Sequence, residues 1–282
     1  MSVQVANVTE SAAPAANRAG GSSFYLAMRI LGREQREAMF EIYSFCRAVD
    51  DIADSDAPHP QRLEGLLVWR KNIDSLYSGS IPPKLGGLAR AVARYALRKD
   101  DFLAVIDGVE MDARADIRAP SFDELDLYCD RVASAVGRLS VRIFGMDDAD
   151  GVALAFHLGR ALQLTNILRD IDEDAAIGRL YLPQEALRKA GITSSDPASV
   201  VEDPRLGETC IAVAERAREH YTKANEIMSR CPRRVVRAPK IMGGVYRQML
   251  EGMISRGWSR PRSRVRINKP RLIWIALRHA FV

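Results

Sequence analysis

Carboxylates recur at helical spacing in two widely separated segments of the chain. In the first segment, Asp50 and Asp54 lie one helical turn apart, and Arg47 and Tyr43 continue the row toward the N-terminus. The spacing of the four residues places them on one face of a helix. The flanking positions are apolar, so the polar stripe is the narrow one, which is typical of a seam that lines an interior cavity.

A second segment repeats this arrangement. Gln163, Asn166, Asp170 and Asp174 again share one helical face, between leucine and isoleucine residues, and Arg169 stands beside the acidic pair. Each segment therefore offers two carboxylates that are one turn apart. If the two helices face each other, four carboxylates point into one space.

Four confined carboxylates repel one another, so cations must lie among them if all are to stay ionised. Oxygen ligands without histidine or cysteine favour Mg²⁺, which keeps several waters and completes its coordination with phosphate oxygens of a substrate. Arg47 and Arg169 could add charge-assisted contacts to such phosphates. The two rows therefore predict a diphosphate ligand that is bridged by magnesium ions.

A single Asp-Asp-x-x-Asp motif is more often a solvated acidic patch than a metal site. Two copies on otherwise apolar helices, each with an arginine beside it, make the metal site the favoured interpretation. Another helix carries a further acidic run, which comprises Asp107, Glu110, Asp112 and Asp116. These residues spread over more than one side, so a solvated face is expected for most of them, with Asp112 a candidate support for the metal site.

The elements that must position these residues are helices. Apolar residues recur at helical spacing almost throughout, and alternating runs of β-branched residues are missing. The sequence predicts an all-α fold with helices at residues 22–31, 33–55, 60–78, 84–98, 100–116, 121–144, 148–176, 184–190, 204–230 and 235–257. Ser121 and Glu124 form a predicted capping box, and Gly145 and Gly178 are predicted to end the helices before them.

Composition indicates an ordinary globular chain. Its 282 residues are 47% hydrophobic and 27% charged, which suffices for a sizeable core. We expect a disordered tail over residues 1–20 and a single helical domain over residues 21–282. The four cysteines are widely spaced, which argues against zinc and redox motifs. No segment resembles a signal peptide or a membrane span of roughly 20 apolar residues, so the expected location is cytoplasmic.

The net charge of +5 conceals a strongly basic C-terminal part. Between Arg230 and Arg278 there are 14 Lys and Arg residues and one acid, Glu251. The run lacks the aromatic interleaving of a nucleic-acid platform, so nucleic acid is not an expected partner. Phosphate-bearing ligands and peripheral contact with an anionic membrane are equally consistent with it.

Two stretches of the sequence carry a family resemblance. Residues 43–54 read YSFCRAVDDIAD, and residues 163–174 read QLTNILRDIDED, followed by GRLYLP at residues 178–183. Together they resemble the two signatures of the squalene/phytoene synthase family, and the likeness extends over nearly the whole chain. The opening GSSFY at residues 21–25 is similar to that of the bacterial members that make presqualene diphosphate for hopanoids.

This resemblance implies an isoprenoid-synthase helical bundle around a central cavity. It further implies a prenyltransferase that condenses two farnesyl diphosphates head to head into presqualene diphosphate. Phytoene synthesis from geranylgeranyl diphosphate and NADPH-dependent squalene synthesis are alternatives within the family, and a non-catalytic scaffold of the same fold is an alternative outside it. NADPH is not expected as a cofactor. The implied partners are prenyl diphosphate substrates and downstream pathway enzymes.

The resemblance also implies roles for individual residues. Two or three Mg²⁺ ions would be held by Asp50, Asp54, Asn166, Asp170 and Asp174. The catalytic residues would be Tyr43, Arg47, Tyr128 and Arg169. The substrate would contact Ser22, Ser23, Tyr43, Arg47, Gln163, Arg169, Arg179, Tyr246 and Arg264. Family members often carry a basic residue near Ser22 or Ser23, which this chain lacks. The acceptor of the proton lost in ring closure is open between Tyr128, Tyr43 and the released diphosphate.

Overall fold

The computed structural model describes residues 27–114 and 117–265, and its regular elements over these ranges are helices. They are α1 (Arg33–Ala53), α2 (His59–Tyr77), α3 (Gly86–Tyr95), α4 (Lys99–Arg114), α5 (Phe122–Cys129), a π-helix (Asp130–Ser134), α6 (Ala135–Phe144), α7 (Asp148–Arg169), α8 (Ile171–Ala176), α9 (Gln184–Lys189), α10 (Pro197–Glu202), α11 (Leu206–Arg230) and α12 (Arg233–Arg256). An isolated parallel bridge joins Arg118 to Leu180. The predicted all-α class is confirmed.

Several helix ends follow the chemistry of their residues. The side chains of Ser121 and Glu124 each bond the other residue's backbone N–H, which completes the predicted capping box of α5. Gly145 ends α6 in the left-handed conformation, with φ of +80°. Gly178 has φ of +81° and follows α8 after one intervening residue.

Other boundaries differ from the prediction. The helix predicted over residues 121–144 contains a five-residue π-helix, and the one predicted over residues 148–176 is broken at Asp170. Helix α10 was not predicted, although Asp196 caps it by accepting from the Ser199 N–H. The helix predicted at residues 22–31 begins outside the described residues, as does the predicted N-terminal tail.

The described residues form two hydrophobic core clusters. The first lies mainly between α1, α2, α3 and α4, where the Phe45 ring meets Phe102 and Trp69 edge-on at 5.1 and 5.5 Å. The second lies mainly between α5, α7, α9, α11 and α12, and includes the fully buried Tyr221. Helices α6 and α12 contribute to both clusters. Full burial of a large apolar side chain contributes roughly 1.5–3 kcal/mol to the stability of the folded state, so each cluster stabilises its own half of the molecule.

The two acidic segments belong to different halves of the core. Helix α1 packs on α2, α3, α4 and α6, whereas α7 packs on α5, α6, α11, α12 and the π-helix. In the described chain α1 and α7 share few direct contacts, and α6 supports both. The polar faces of α1 and α7 are thus carried by separate packing units rather than buried against each other.

The π-helix packs closely against one glycine of α7 and one glycine of α4. A Cβ atom on Gly159 of α7 would lie 2.7 Å from the backbone N and Cα of Ser134, and one on Gly108 of α4 would lie 2.7 Å from Val132 Cγ1. Such distances are far shorter than a van der Waals contact, so the close approach of these helices requires glycine at both positions. This packing fixes the wide helical turns that follow Tyr128.

No helix in the described ranges is long and apolar enough to cross a membrane. Peripheral contact with anionic lipid stays a prediction.

We expect Gly159→Ala to lower the free energy of unfolding by about 1–3 kcal/mol, because the new methyl group must displace the backbone of Ser134. Urea denaturation followed by circular dichroism measures this change. Gly207→Ala in α11 is the matched control, since nothing lies within 4 Å of its added Cβ, and it should be neutral or slightly stabilising. Equal stability of the two variants would show that the close packing against the π-helix is dispensable.

Candidate active site

The row on α1 runs from the middle of the helix to its C-terminal end. Tyr43 and Asp50 are half-buried, and Asp54 is the exposed C-cap residue. Arg47 is exposed, and its Nη2 lies 2.8 Å from Asp51 Oδ1. The guanidinium therefore reaches solvent beside the acidic row, where an incoming anion could meet it.

The row on α7 and α8 spans the break between these helices. Asn166 Nδ2 donates to Gln163 Oε1 at 3.4 Å. Asn166 Oδ1 is shielded from solvent and accepts no hydrogen bond from the described residues. A buried carbonyl oxygen without a donor is costly, and a bound cation would satisfy it. Beyond it, Arg169 Nε donates to Asp170 Oδ1 at 2.7 Å.

Arg179 joins the two rows at their C-terminal ends. Its Nη1 donates to Asp54 Oδ1 at 2.9 Å, and its Nη2 donates to the Ala53 carbonyl at 3.3 Å. Its backbone N–H donates to the Asp174 carbonyl at 2.9 Å, just after α8. The side chain is buried, so this connection is held in a fixed geometry. The sequence assigned Arg179 to the substrate, and the structure places it between the acidic rows.

A buried carboxylate lies near both rows. Asp112 of α4 accepts hydrogen bonds from Tyr128 Oη at 2.9 Å and from Tyr181 Oη at 2.7 Å. The two phenol rings stack with centroids 5.1 Å apart. The charge of Asp112 acts on Asp50 of the first row and on Asp174 of the second. Asp112 therefore lies close enough to both rows for its charge to influence them.

Asp112, the candidate support for the metal site, is buried, and the expectation of a solvated face holds only partly for its neighbours. Asp107 and Glu110 both pair with Arg70 of α2 at 2.5 Å, so they tie α4 to α2. Asp116 lies outside the described residues. Sequence reasoning also missed Tyr181, although it stands inside the motif at residues 178–183 that suggested the family.

Burial and mutual repulsion raise the pKa of several of these carboxyls. Burial, followed by the charge of Asp54, raises the pKa of Asp50 to about 7. Burial, followed by the charge of Asp170, raises the pKa of Asp174 to about 7. Burial also raises the pKa of Asp112, against the opposing effect of its hydrogen bonds and of Arg179. These three carboxyls therefore need nearby positive charge if all of them are to be ionised at neutral pH.

The donor set fits Mg²⁺ held jointly with a phosphate ligand. Within residues 27–114 and 117–265, no three His, Cys, Asp or Glu side chains converge on a shared metal position. Mg²⁺ commonly takes only one or two carboxylates and fills its remaining positions with water and substrate phosphate oxygens. The half-buried carboxylates and the Asn166 oxygen, which has no donor among the described residues, are hard donors of this kind.

The remaining predicted ligands lie on one side of the second row. Tyr246 of α12 hydrogen-bonds with Arg169, and Arg264 Nη2 lies 3.7 Å from Asp170 Oδ1. The structure thus groups these residues beside Asp170. Ser22 and Ser23 lie outside the described residues, so their role stays a prediction.

Known proteins resemble this chain over nearly its whole length. The family model described as squalene/phytoene synthase matches residues 17–271. The chain belongs to the squalene/phytoene synthase family. The resemblance inferred from the two motifs is confirmed.

Relatives within the family differ in their degree of similarity. A presqualene diphosphate synthase from Rhodopseudomonas palustris is 58% identical over 95% of this chain and 97% of its own length. One from Sinorhizobium fredii is 56% identical over 97% of this chain and 99% of its own length. A phytoene synthase from Mycobacterium tuberculosis is 34% identical over 88% of this chain and 81% of its own length.

Solved structures share the fold. A squalene synthase from Alicyclobacillus acidocaldarius superposes with a TM-score of 0.77 at 26% identity, covering 86% of this chain and 91% of its own. A dehydrosqualene synthase in complex with ligand gives a TM-score of 0.80 at 24% identity, covering 93% of this chain and 92% of its own. The likeness to the second structure concerns the fold alone.

The raised pKa values predict how stability depends on pH when no cation is present. Asp174 keeps its proton in the folded protein up to about pH 7 but loses it near pH 4 when unfolded. The folded state therefore binds more protons between these values, and its free energy of unfolding should fall as the pH rises through this window. Asp174→Asn should flatten this decline and raise stability at pH 7.5. Urea denaturation in the presence of a chelator measures both effects.

Glu173→Gln is the control for this substitution, because it removes an exposed carboxylate from the same helix whose charge raises the pKa of Asp174 less than burial, Asp170 or Asp112 does. It should change stability by less than about 0.5 kcal/mol at any pH tested. A wild-type curve that rises between pH 4 and pH 7 and is unchanged by Asp174→Asn would contradict the electrostatic description of this site.

Proposed function

We propose that this protein condenses two farnesyl diphosphates head to head into presqualene diphosphate and releases inorganic diphosphate. The observation that carries the proposal is the connection of the two acidic rows through Arg179 and Asp54, next to the buried carboxylate of Asp112. The full-length similarity to relatives named presqualene diphosphate synthase supports this product over phytoene.

Five residues would hold magnesium together with the substrate diphosphate, namely Asp50, Asp54, Asn166, Asp170 and Asp174. When bound, Mg²⁺ supplies Lewis-acid stabilisation of the charge on the departing diphosphate. The protein contributes half-buried carboxylates whose mutual repulsion favours binding of a cation.

Arginines on both sides of the site would bind the diphosphate oxygens. Arg47 reaches solvent beside the first row, and Arg169 and Arg264 stand beside Asp170. Gln163 lies next to Asn166 and Tyr246 lies next to Arg169, and both would orient the same ligand. Such preorganised donors stabilise the charge that develops when the carbon–oxygen bond of the first substrate breaks.

The carbon skeleton would be assembled in two steps. Cleavage of the first carbon–oxygen bond leaves an allylic cation, and its bonding electrons depart with the diphosphate. The double bond of the second substrate then attacks this cation, and loss of one proton closes the cyclopropane ring. Apolar walls that exclude water would protect the cation from hydrolysis.

We further infer that Tyr128 relays this proton to Asp112. Burial raises the pKa of Tyr128 well above its usual value of 10, so the hydroxyl is protonated at neutral pH. Its oxygen can accept a proton only if it passes its own along the 2.9 Å hydrogen bond to Asp112. Burial favours the protonated form of Asp112, which suits it as the terminal acceptor.

Tyr128→Phe should lower kcat by about 10²–10⁴-fold, the range that general acid–base catalysis provides, with a smaller effect on KM. Steady-state kinetics with farnesyl diphosphate measures this change. Tyr181→Phe removes the other donor to Asp112 but leaves the relay intact, so its loss should be about tenfold or less. A full loss of kcat in Tyr181→Phe with little loss in Tyr128→Phe would show that the relay runs through Tyr181 and that the assignment to Tyr128 is wrong.

Product analysis tests the reaction as a whole. The purified protein, incubated with farnesyl diphosphate and Mg²⁺, should form presqualene diphosphate and one equivalent of inorganic diphosphate, with or without NADPH. Removing Mg²⁺ with a chelator should stop product formation. Squalene appearing only with NADPH, or turnover of geranylgeranyl diphosphate alone, would replace the proposal with one of its alternatives.

Asp50→Ala and Asp170→Ala should each lower turnover by at least about 10³-fold while helical content stays unchanged, because each removes a ligand that acts on the developing charge. Glu37→Gln on α1 is the matched control, since it removes an exposed carboxylate at the far end of the helix and should retain wild-type turnover. Retained activity in either aspartate variant would refute the metal assignment.

A further inference from the structure

The segment that follows α12 crosses the break between α7 and α8. This segment, residues 257–265, is here named the strap. It begins at Gly257, whose φ of +76° turns the chain away from α12. The Trp258 side chain is buried and its Nε1 lies 3.4 Å from the Leu168 carbonyl, near the end of α7. Carbonyls at a helix end lack helical partners, so Trp258 satisfies one that the break at Asp170 exposes.

The other end of the strap returns to α12. Val265 packs so closely on Gly252 that a Cβ atom there would lie 2.7 Å from Val265 Cγ1. Arg256 of α12 donates from Nη1 to the Ser263 carbonyl. The strap is thus held at both ends, and its middle lies over α8.

Arg262 anchors this middle part. Its Nε donates to Asp172 Oδ2 at 2.8 Å, and its Nη2 donates to Asp172 Oδ1, so the pair is bidentate. Nη1 donates to the Trp258 carbonyl at 3.0 Å, and Nη2 also donates to the Val201 carbonyl of α10 at 2.9 Å. All three guanidinium nitrogens therefore bond to protein.

Arg262 is enclosed by its protein partners. Its side chain is only 4% exposed, whereas the neighbouring Arg264 is 60% exposed and lies 3.7 Å from Asp170. The cavity bounded by these arginines, Arg169 and Asp172 has a volume of about 30 Å³, which has room for a water molecule or two but not for a diphosphate. Any effect of Arg262 on the substrate must therefore act through another residue.

We propose that Arg262 is a positioning residue, which clamps the strap to Asp172 so that Arg264 stands beside Asp170 as a ligand of the substrate diphosphate. This inference rests on the proposed function and adds the pair Arg262–Asp172 to it. Asp172 lies on α8 between the metal-binding candidates Asp170 and Asp174, yet its carboxylate bonds to the strap. The same short helix thereby sets the position of the acidic row and of the arginine beside it.

A double-mutant cycle tests this coupling. Arg262→Gln and Arg264→Gln should each raise the KM for farnesyl diphosphate about tenfold with a smaller effect on kcat. Adding Arg262→Gln to Arg264→Gln should raise KM little further, because the clamp acts only through Arg264. Additive effects, or an unchanged KM in Arg262→Gln alongside a raised KM in Arg264→Gln, would overturn the proposal.

Two further variants separate positioning from general loss of structure. Asp172→Asn weakens the same clamp from the other side and should reproduce the KM effect of Arg262→Gln with unchanged helical content. Arg260→Gln is the matched control, because this arginine of the strap is 49% exposed and meets Asp172 only at 3.4 Å. Its closer partner, Glu202 at 2.5 Å, is 60% exposed, so losing this surface ion pair should leave KM within twofold of wild type. Equal effects of Arg260→Gln and Arg262→Gln would overturn the assignment to Arg262.

A readout without turnover keeps the inference independent of the proposed reaction. Hydrogen exchange of the strap should accelerate at least tenfold in Arg262→Gln and Asp172→Asn but not in Arg260→Gln. Calorimetric titration with inorganic diphosphate and Mg²⁺ should show about tenfold weaker binding in both clamp variants. Failure of the wild-type protein to make presqualene diphosphate would refute the proposed function alone, whereas a faster-exchanging strap with unaltered diphosphate affinity would refute the positioning role alone.

Discussion

Repulsion between partly buried carboxylates is the constraint on which the rest of this structure depends. Asp50 and Asp174 belong to different halves of the core, and the charge of Asp112 acts on both. Removing water strengthens this repulsion, because each charge loses the solvent that would screen it. Arg179 is buried among these groups and offsets part of their charge. The remaining negative charge of this carboxylate cluster disfavours binding of an anion alone. It favours a phosphate ligand that binds together with divalent cations.

The helical framework serves this constraint by keeping the rows apart. The rows are carried by α1 and α7, which share few direct contacts but both pack on α6. Irregular backbone occurs where the site requires it: the π-helix follows Tyr128, and the break at Asp170 lies inside the second row. Both irregularities cost regular helical hydrogen bonds. The π-helix packs closely against glycines of α4 and α7, and the Trp258 side chain hydrogen-bonds to a carbonyl near the break at Asp170.

Much of this architecture could be predicted from the sequence, because the relevant signals are local. Helical periodicity, the capping box at Ser121 and the left-handed Gly145 depend on residues only a few positions apart. The two rows could be recognised because polar residues replace apolar ones on a single helical face. Their assignment to one family followed from the order of the motifs, and the roles of the individual ligands stay proposals.

Other features depend on contacts that the local sequence does not encode. Whether Asp112 faces solvent or the core depends on Tyr128 and Tyr181, which lie 16 and 69 positions away. The π-helix depends on glycines of two other helices, and no periodicity of its own residues indicates it. The partner of Asp172 likewise lies 90 positions further along the chain. Tertiary packing decided these points.

The brevity of α8 has a consequence for how this site can vary. Residues two positions apart on a helix point in nearly opposite directions, so this helix and its N-cap present Asp170 and Asp174 to one side and Asp172 to the other. Inserting or deleting one residue between Asp170 and Asp174 would rotate the acids before and after the change by about 100° relative to each other, so they would no longer share a face. Point substitutions can therefore adjust either side separately, whereas length changes in this helix would disrupt both together.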